Sequence, residues 1–142
     1  MALTPENNSY LYDEYMENEN VEIPSKTWFI DFENGRIGSF IVGELALRQF
    51  VQKAISTARN KYPIYTDQYG SEIEEELIGR GTTEGYLNAV VPRMIQEALI
   101  YDDRIEDVQV SYERLDNSLA ISVFIVPMIG EAFTEEVSIN GL

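Results

Sequence analysis

Between residues 62 and 79 the chain reads Tyr-Pro-Ile-Tyr, three further residues, Tyr-Gly, and then Ser-Glu-Ile-Glu-Glu-Glu-Leu-Ile-Gly. No ordinary helix or strand needs that spelling. Tyr62 precedes Pro63 and is thereby kept away from helical angles, so a helix arriving from the amino-terminal side must stop there. A proline, three tyrosines and a glycine set between two helix-like segments specify a particular non-repetitive turn.

The segments on either side are more regular. Before the turn, Leu47, Phe50, Val51, Ala54, Ile55 and Ala58 recur at three- and four-residue spacing, which predicts an amphipathic helix from about Glu44 to Asn60. After it, Ser71 followed by Glu74 has the spelling of a capping box, which predicts a short helix from Ser71 to Ile78. Acids in its first turn suit the positive end of a helix dipole. Gly79-Arg80-Gly81 breaks it. Leu87, Val90, Val91, Met94, Ile95, Ala98 and Leu99 predict a third helix over Glu84 to Tyr101. Pro92 falls inside this span, so either the regular part begins near Asn88 or the axis bends at Pro92.

Both ends of this helical region read as β-structure. Trp28, Ile30 and Phe32 alternate with Phe29 and Asp31, Asn34-Gly35 is a hairpin signal in which both residues tolerate positive φ, and Ile37 to Val42 is the return strand. Val108, Val110 and Tyr112 alternate with polar residues up to a turn at Asp116-Asn117. Leu119, Ile121, Val123 and Ile125 line one face of the next strand, and Ala120, Phe124 and Val126 make its other face apolar too. Such a strand is central in its sheet or covered by a partner. Phe133, Val137 and Ile139 predict a last strand. The expectation is an α+β fold: a single compact domain over residues 26–142, with helices packed on a small, mainly antiparallel sheet.

Residues 1–25 carry Glu6, Asp13, Glu14, Glu17, Glu19 and Glu22 without a lysine or arginine, and are expected to be a flexible acidic arm. Tyr10, Leu11, Tyr12, Tyr15 and Met16 are its apolar exception and could dock on a partner. The whole chain has a net charge of −15. That surface repels nucleic acid and anionic lipid, so neither is expected as a partner, and it suits a partner with a basic face. No window approaches eighteen uninterrupted apolar residues, and the amino terminus lacks the spelling of a secretory signal. Synthesis in the cytoplasm is the simplest expectation.

Chemistry is constrained by what is missing. With no cysteine and no histidine, thiolate metal sites, disulfides and a serine or cysteine triad of the usual kind are excluded. Glu72, Glu74, Glu75 and Glu76 crowd one short helix, and Asp102 adjoins Asp103. A glycosidase needs two acids facing each other across a cleft, and this spacing does not establish that geometry. Asp31, Glu33 and Gly35 do not continue into a calcium-binding loop, and Gly79-Arg80-Gly81-Thr82-Thr83 lacks the lysine of a phosphate loop. No catalytic residue, cofactor or metal is expected. The candidate contact residues are Tyr65, Tyr69 and Gly70 in the turn, and Asp102, Asp103 and Arg104 after the third helix. Tyrosines suit both interfaces and the packing of an irregular turn. Arg104 has two readings: a local pair with Asp102 or Asp103, or a planar fork directed at a partner's carboxylate or carbonyls.

Taken in order, Pro24-Ser25-Lys26-Thr27-Trp28, the hairpin Asp31 to Gly38, Tyr62-Pro63-Ile64-Tyr65, Tyr69-Gly70, Glu76-Leu77-Ile78-Gly79 and Asp102-Asp103-Arg104-Ile105 resemble the small baseplate protein of PBSX-type contractile tails. That group is similar to the wedge protein of larger contractile phages known as the sheath initiator, and the likeness covers about residues 24–127. The resemblance implies a structural, non-enzymatic role in the baseplate of a phage or phage-like particle, in six copies per ring. It implies contact with larger wedge proteins, with the tail sheath protein and with tube or hub proteins, linking the wedge to the first sheath ring and initiating sheath assembly. The broader family has a Glu-Pro-Arg step after its last helix that contacts the wedge. Asp102, Asp103 and Arg104 occupy it here, with the proline replaced. Two other readings stand beside this one: a carboxylate-based peptidoglycan glycosidase, and a small regulatory adaptor sharing the fold.

Overall fold

A computed structural model describes residues 26–142; the acidic arm, Pro24 and Ser25 lie outside the described residues. The described residues form three helices and two separate antiparallel sheets, an α+β architecture. They fall into two compact units that divide between Gln49 and Phe50.

The first unit holds a hairpin of β1 (Thr27–Asp31) and β2 (Arg36–Ile41) and the start of helix α1 (Gly43–Ser56). Trp28 pairs with Phe40 and Ile30 with Ile37, with a bulge between Trp28 and Ile30. The turn departs from a two-residue Asn-Gly type. Asp31 pairs with Arg36, and Gly35 alone of the turn residues has a positive φ, +62°. The reason is the Asp31 carboxylate. Its Oδ1 accepts the backbone N–H groups of Glu33 and Asn34 at 3.1 Å each, and Oδ2 accepts from the Asn34 side chain at 2.7 Å. An aspartate closing its own turn in this way leaves Asn34 no need of a left-handed conformation. On the other side of β1, the Gln49 amide accepts from the Ile30 N–H and donates to the Trp28 carbonyl, both at 2.7 Å. Gln49 thus occupies that stretch of strand edge much as a neighbouring strand would.

The second unit begins within α1, which stops four residues short of the predicted end at Asn60. Beyond Ser56 the backbone turns to a different partner. The Ser71 N–H donates to the Thr57 carbonyl at 2.9 Å and the Arg59 N–H donates to the Ser71 carbonyl at 3.0 Å. Ala58 and Ser71 thereby form a short parallel bridge. Bonds to the returning chain replace the last helical turn, and Asn60 takes φ +63°. Ser71 is also not the cap of the short helix α2 (Ile73–Glu76). It is buried, and its hydroxyl donates to the Ile55 carbonyl at 2.6 Å. Glu72 holds the cap position without a side-chain bond, and Glu74 pairs with Lys61 in place of closing a capping box.

Helix α3 (Glu84–Leu99) is continuous through Pro92, capped by Thr83, whose hydroxyl oxygen accepts the Tyr86 N–H at 3.3 Å. A proline inside a helix costs about 3 kcal/mol. Burying a large apolar side chain contributes about 1.5–3 kcal/mol, and Leu87, Val90, Val91, Met94, Ile95 and Leu99 are all buried on this helix. That sum outweighs the proline, so the helix neither starts late nor breaks. It lies against the sheet formed by β3 (Ile105–Leu115), β4 (Ser118–Pro127) and β5 (Phe133–Asn140), in the order β3-β4-β5. The double-sided strand is central, with Leu119, Ile121, Val123 and Ile125 almost fully buried. Because β4 is paired on both sides, the outer strands of this sheet are β3 and β5 and not β4. The apolar second face of β4 therefore marks a sheet face, not an edge.

One position fixes the crossing of the loop over the end of α1. Gly70 has φ +99°, and a Cβ there would stand 2.7 Å from the Thr57 carbonyl oxygen. Gly70→Ala combines a disfavoured backbone conformation with a clash against rigid backbone, and should lower the unfolding free energy by at least about 2 kcal/mol. Urea denaturation of the purified chain measures this.

Candidate protein-contact site

The predicted contact residues come from two parts of the second unit, the irregular loop 57–72 and the step between α3 and β3; helix α1 joins them without having been predicted to. The step is a tight turn. Arg104 donates through Nε to Asp102 Oδ1 and through Nη2 to Oδ2, both at 2.9 Å, and its backbone N–H donates to Oδ1 at 2.9 Å. The local reading of Arg104 is thus present, as a two-bond pair with Asp102. Asp102 is the N-terminal member because its carboxylate can reach both the backbone and the fork of the residue two positions on. Asp103 between them points its segment outward and is exposed. The Arg104 carbonyl accepts the Met128 N–H at 2.8 Å, which ties the step to the end of β4.

Burial by itself pushes the Asp102 carboxyl up, but the side-chain and backbone hydrogen bonds from Arg104 and its positive charge together hold it below the usual carboxylate range. The pair is only partly exposed, with side-chain exposures of 24% for Arg104 and 15% for Asp102. It is therefore less screened than an open surface pair.

The other face of the Arg104 guanidinium stacks on Phe50, with 4.9 Å to the ring centroid. Phe50 also meets Tyr101 edge-on at 6.5 Å and Tyr69 at 6.2 Å. Tyr69 lies against Tyr65 with centroids 4.4 Å apart and planes tilted by 32°, and Tyr62 meets Tyr65 edge-on at 6.4 Å. Lys53 stands over Tyr65 and Tyr69 at 5.3 and 5.8 Å. A continuous run of rings and two cations thus joins Arg104 to the loop. Asp102, Arg104, Tyr65 and Tyr69 are brought together; Asp103 stays outside the run. Gly70 is buried against the Thr57 backbone and serves the crossing.

Phe50 is the linking residue that sequence reasoning placed only in an apolar helical stripe. Its half-buried position at the rim of that stripe is the sole local signal, and nothing local says that residues 69 and 104 meet on it. The Tyr69 hydroxyl is enclosed and makes no hydrogen bond of ordinary geometry, although the Thr57 side chain favours its ionised form. Burial, reinforced by Tyr65, pushes its pKa up to about 12.

The acids of α2 are spread over separate partners. Glu72 faces Arg59 at 3.7 Å, Glu74 pairs with Lys61, and Glu76 accepts from the Tyr86 hydroxyl at 2.8 Å. Among the described residues no group of three or more Asp or Glu gathers in a way that could hold a metal ion. No helix among them is long and apolar enough to cross a membrane. The site offers half-buried rings interleaved with two cations, Lys53 and Arg104, a composition that packs an irregular loop and also suits contact between chains.

Comparison with known proteins identifies the family. The family described as contractile injection system sheath initiator matches residues 26–126. The chain belongs to the sheath initiator family. It is also 47% identical, over 109 residues, to the phage-like element PBSX protein XkdS of Bacillus subtilis (strain 168), covering 76% of this chain and 75% of that relative. A sheath initiator is a structural component of a contractile tail, and part of the assembled tail particle. The matched residues run from β1 to the end of β4 and include the loop, the ring cluster and the Asp102-Asp103-Arg104 step.

Two outcomes follow for this sheath initiator. Arg104→Ala and Asp102→Asn should each lower the stability of the free protein by about 1–2 kcal/mol at neutral pH. Because the folded-state pKa of Asp102 is depressed, the Asp102→Asn deficit should be full above about pH 4 and shrink as pH falls toward the folded value; chemical denaturation at stepped pH reads it. The raised pKa of Tyr69 has the opposite sign. Its contribution is complete below about pH 10, and stability should decline as pH rises from there toward about 12, less steeply in Tyr69→Phe.

Proposed function

We propose that this chain joins the larger wedge proteins of a contractile-tail baseplate to the first sheath ring and initiates sheath assembly. It does so in six copies per ring and with no reacting centre of its own. Residues 26–142 act as the sheath-initiator-like body, tube or hub proteins are further neighbours, and assembly begins in the bacterial cytoplasm. Membership of the sheath initiator family supports this reading.

The observation that carries it is the outer edge of β5 over residues 136–140. These residues pair with β4 on one side, and no described strand pairs with them on the other. An unpaired strand edge accepts a strand from another chain through main-chain bonds. The opposite edge, β3, is partly taken up, since the Gln96 side chain donates to the Val108 carbonyl at 3.1 Å. A sheath arm is the occupant proposed for β5. The wedge contact is assigned to the Asp102-Asp103-Arg104 step and the adjoining Tyr65, Tyr69 and Gly70 loop. In that contact the outward group of the step is the Asp103 carboxylate, while Asp102 and Arg104 hold the turn in shape.

Hydrogen exchange on the isolated chain and on the chain assembled with sheath protein tests the sheath contact. Amides of residues 136–140 should gain protection on assembly; unchanged exchange there would remove the strand-addition reading. Tails produced without this chain should carry tube but no ordered sheath, whereas an enzyme or a soluble adaptor would leave sheath assembly intact.

A further inference from the structure

The sheet β3-β4-β5 buries one face and leaves the other without a covering element among the described residues of its unit. On that outer face Ala120, Phe124 and Val126 form an apolar column along the central strand, interrupted by Ser122; Ala120 and Val126 are half-buried and Phe124 is 38% exposed. In register beside them stand Asp107 on β3 next to Val126, Glu113 on β3 next to Ala120, and Glu136 on β5 next to Ser122. All three acids are exposed. No lysine or arginine shares the face: Arg114, the one cation on these strands, alternates to the other side and donates to the Thr82 carbonyl at 2.8 Å.

We infer that this face is a docking surface for a basic, amphipathic segment of a partner protein, its apolar side chains on the Ala120–Val126 column and its lysines or arginines on the flanking acids. Three considerations select that occupant. A second copy of the chain would set acid against acid, and like charges brought together at an interface are costly. Strand rise and spacing make the face roughly 25 Å by 15 Å, on the order of 350 Å². That is under half of the roughly 800 Å² per partner in a stable interface between globular surfaces, and it fits one segment lying along β4. Nucleic acid and anionic lipid are repelled by the same three carboxylates. The surface is distinct from the β5 edge. Strand addition uses main-chain groups in the plane of the sheet, whereas this contact uses side chains that stand above it.

The test uses the full chain and a fluorescent twelve-residue peptide of alternating lysine and leucine, followed by anisotropy at low salt. Because the net charge of −15 attracts any cationic peptide, the control is a variant of equal charge. Glu113→Lys/Glu136→Lys should weaken binding by about 10-fold or more, and Phe124→Ser by several-fold. Asp67→Lys/Glu75→Lys, which makes the same charge change on the loop and on α2, should stay within about two-fold of wild type. Equal weakening by both double variants would mean diffuse charge attraction and overturn the proposal, as would the absence of measurable binding to wild type. Thermal midpoints establish that each variant is folded. Should Phe124→Ser fail that check, the two charge reversals decide the matter, since their side chains are exposed.

Discussion

Leu119, Ile121, Val123 and Ile125 leave water together only when β4 lies between β3 and β5 with its inner face under the helices. Each such burial contributes about 1.5–3 kcal/mol, and because strand side chains alternate, a slip of one residue would expose all four. The register of the sheet is therefore held by this one column. α3 is placed by it in turn: the Tyr112 hydroxyl reaches Asn88 at 2.6 Å and Gln96 reaches the Val108 backbone, so polar contacts at its margin repeat the apolar alignment.

The contact site depends on a different constraint, the crossing of residues 57–59 and 70–71. Gly70 passes so close to the Thr57 carbonyl that no side chain fits. Bonds across this crossing end α1 early and swing the tyrosine loop back over its last turn. Only then does Tyr69 reach Phe50, and only because Phe50 is already capped by Arg104 does the loop connect with the step after α3. The arginine does two jobs with two surfaces: its edge is neutralised by Asp102, and its face covers a ring. A lysine has neither the fork nor the plane for this.

Charge gives the molecule its second theme. An excess of acid that serves only solubility needs no pattern. Here part of it is neutralised locally, as at Arg59-Glu72 and Lys61-Glu74, while the outer face of the sheet keeps its acids in register beside an apolar column. A structural piece of a contractile tail works by being held by neighbours, and such a face is complementary to a neighbour of opposite sign.

Periodic features were legible in the residues alone. The seven buried positions of α3, the inner column of β4 and the strands flanking the helices all follow from spacing that a reader can count, because burial of one face imposes a period on the chain. The order of short motifs from Trp28 to Ile105 also sufficed to indicate the family. Endings and partners were not legible. Ser71 spells a helix cap and is instead consumed by Ile55; Asn34-Gly35 spells a tight hairpin and is overruled by Asp31; Asn60 spells more helix and is taken by a bridge to Ser71. In each case a polar group had two possible partners of similar strength. The sequence by itself determined which faces must be dry, since apolar burial is a sum over many residues. Which hydrogen bond each boundary residue makes, and that Phe50 gathers Tyr69 and Arg104 around one ring, was decided only by the tertiary structure, since a single bond is small enough for whichever group the fold brings nearer to win it.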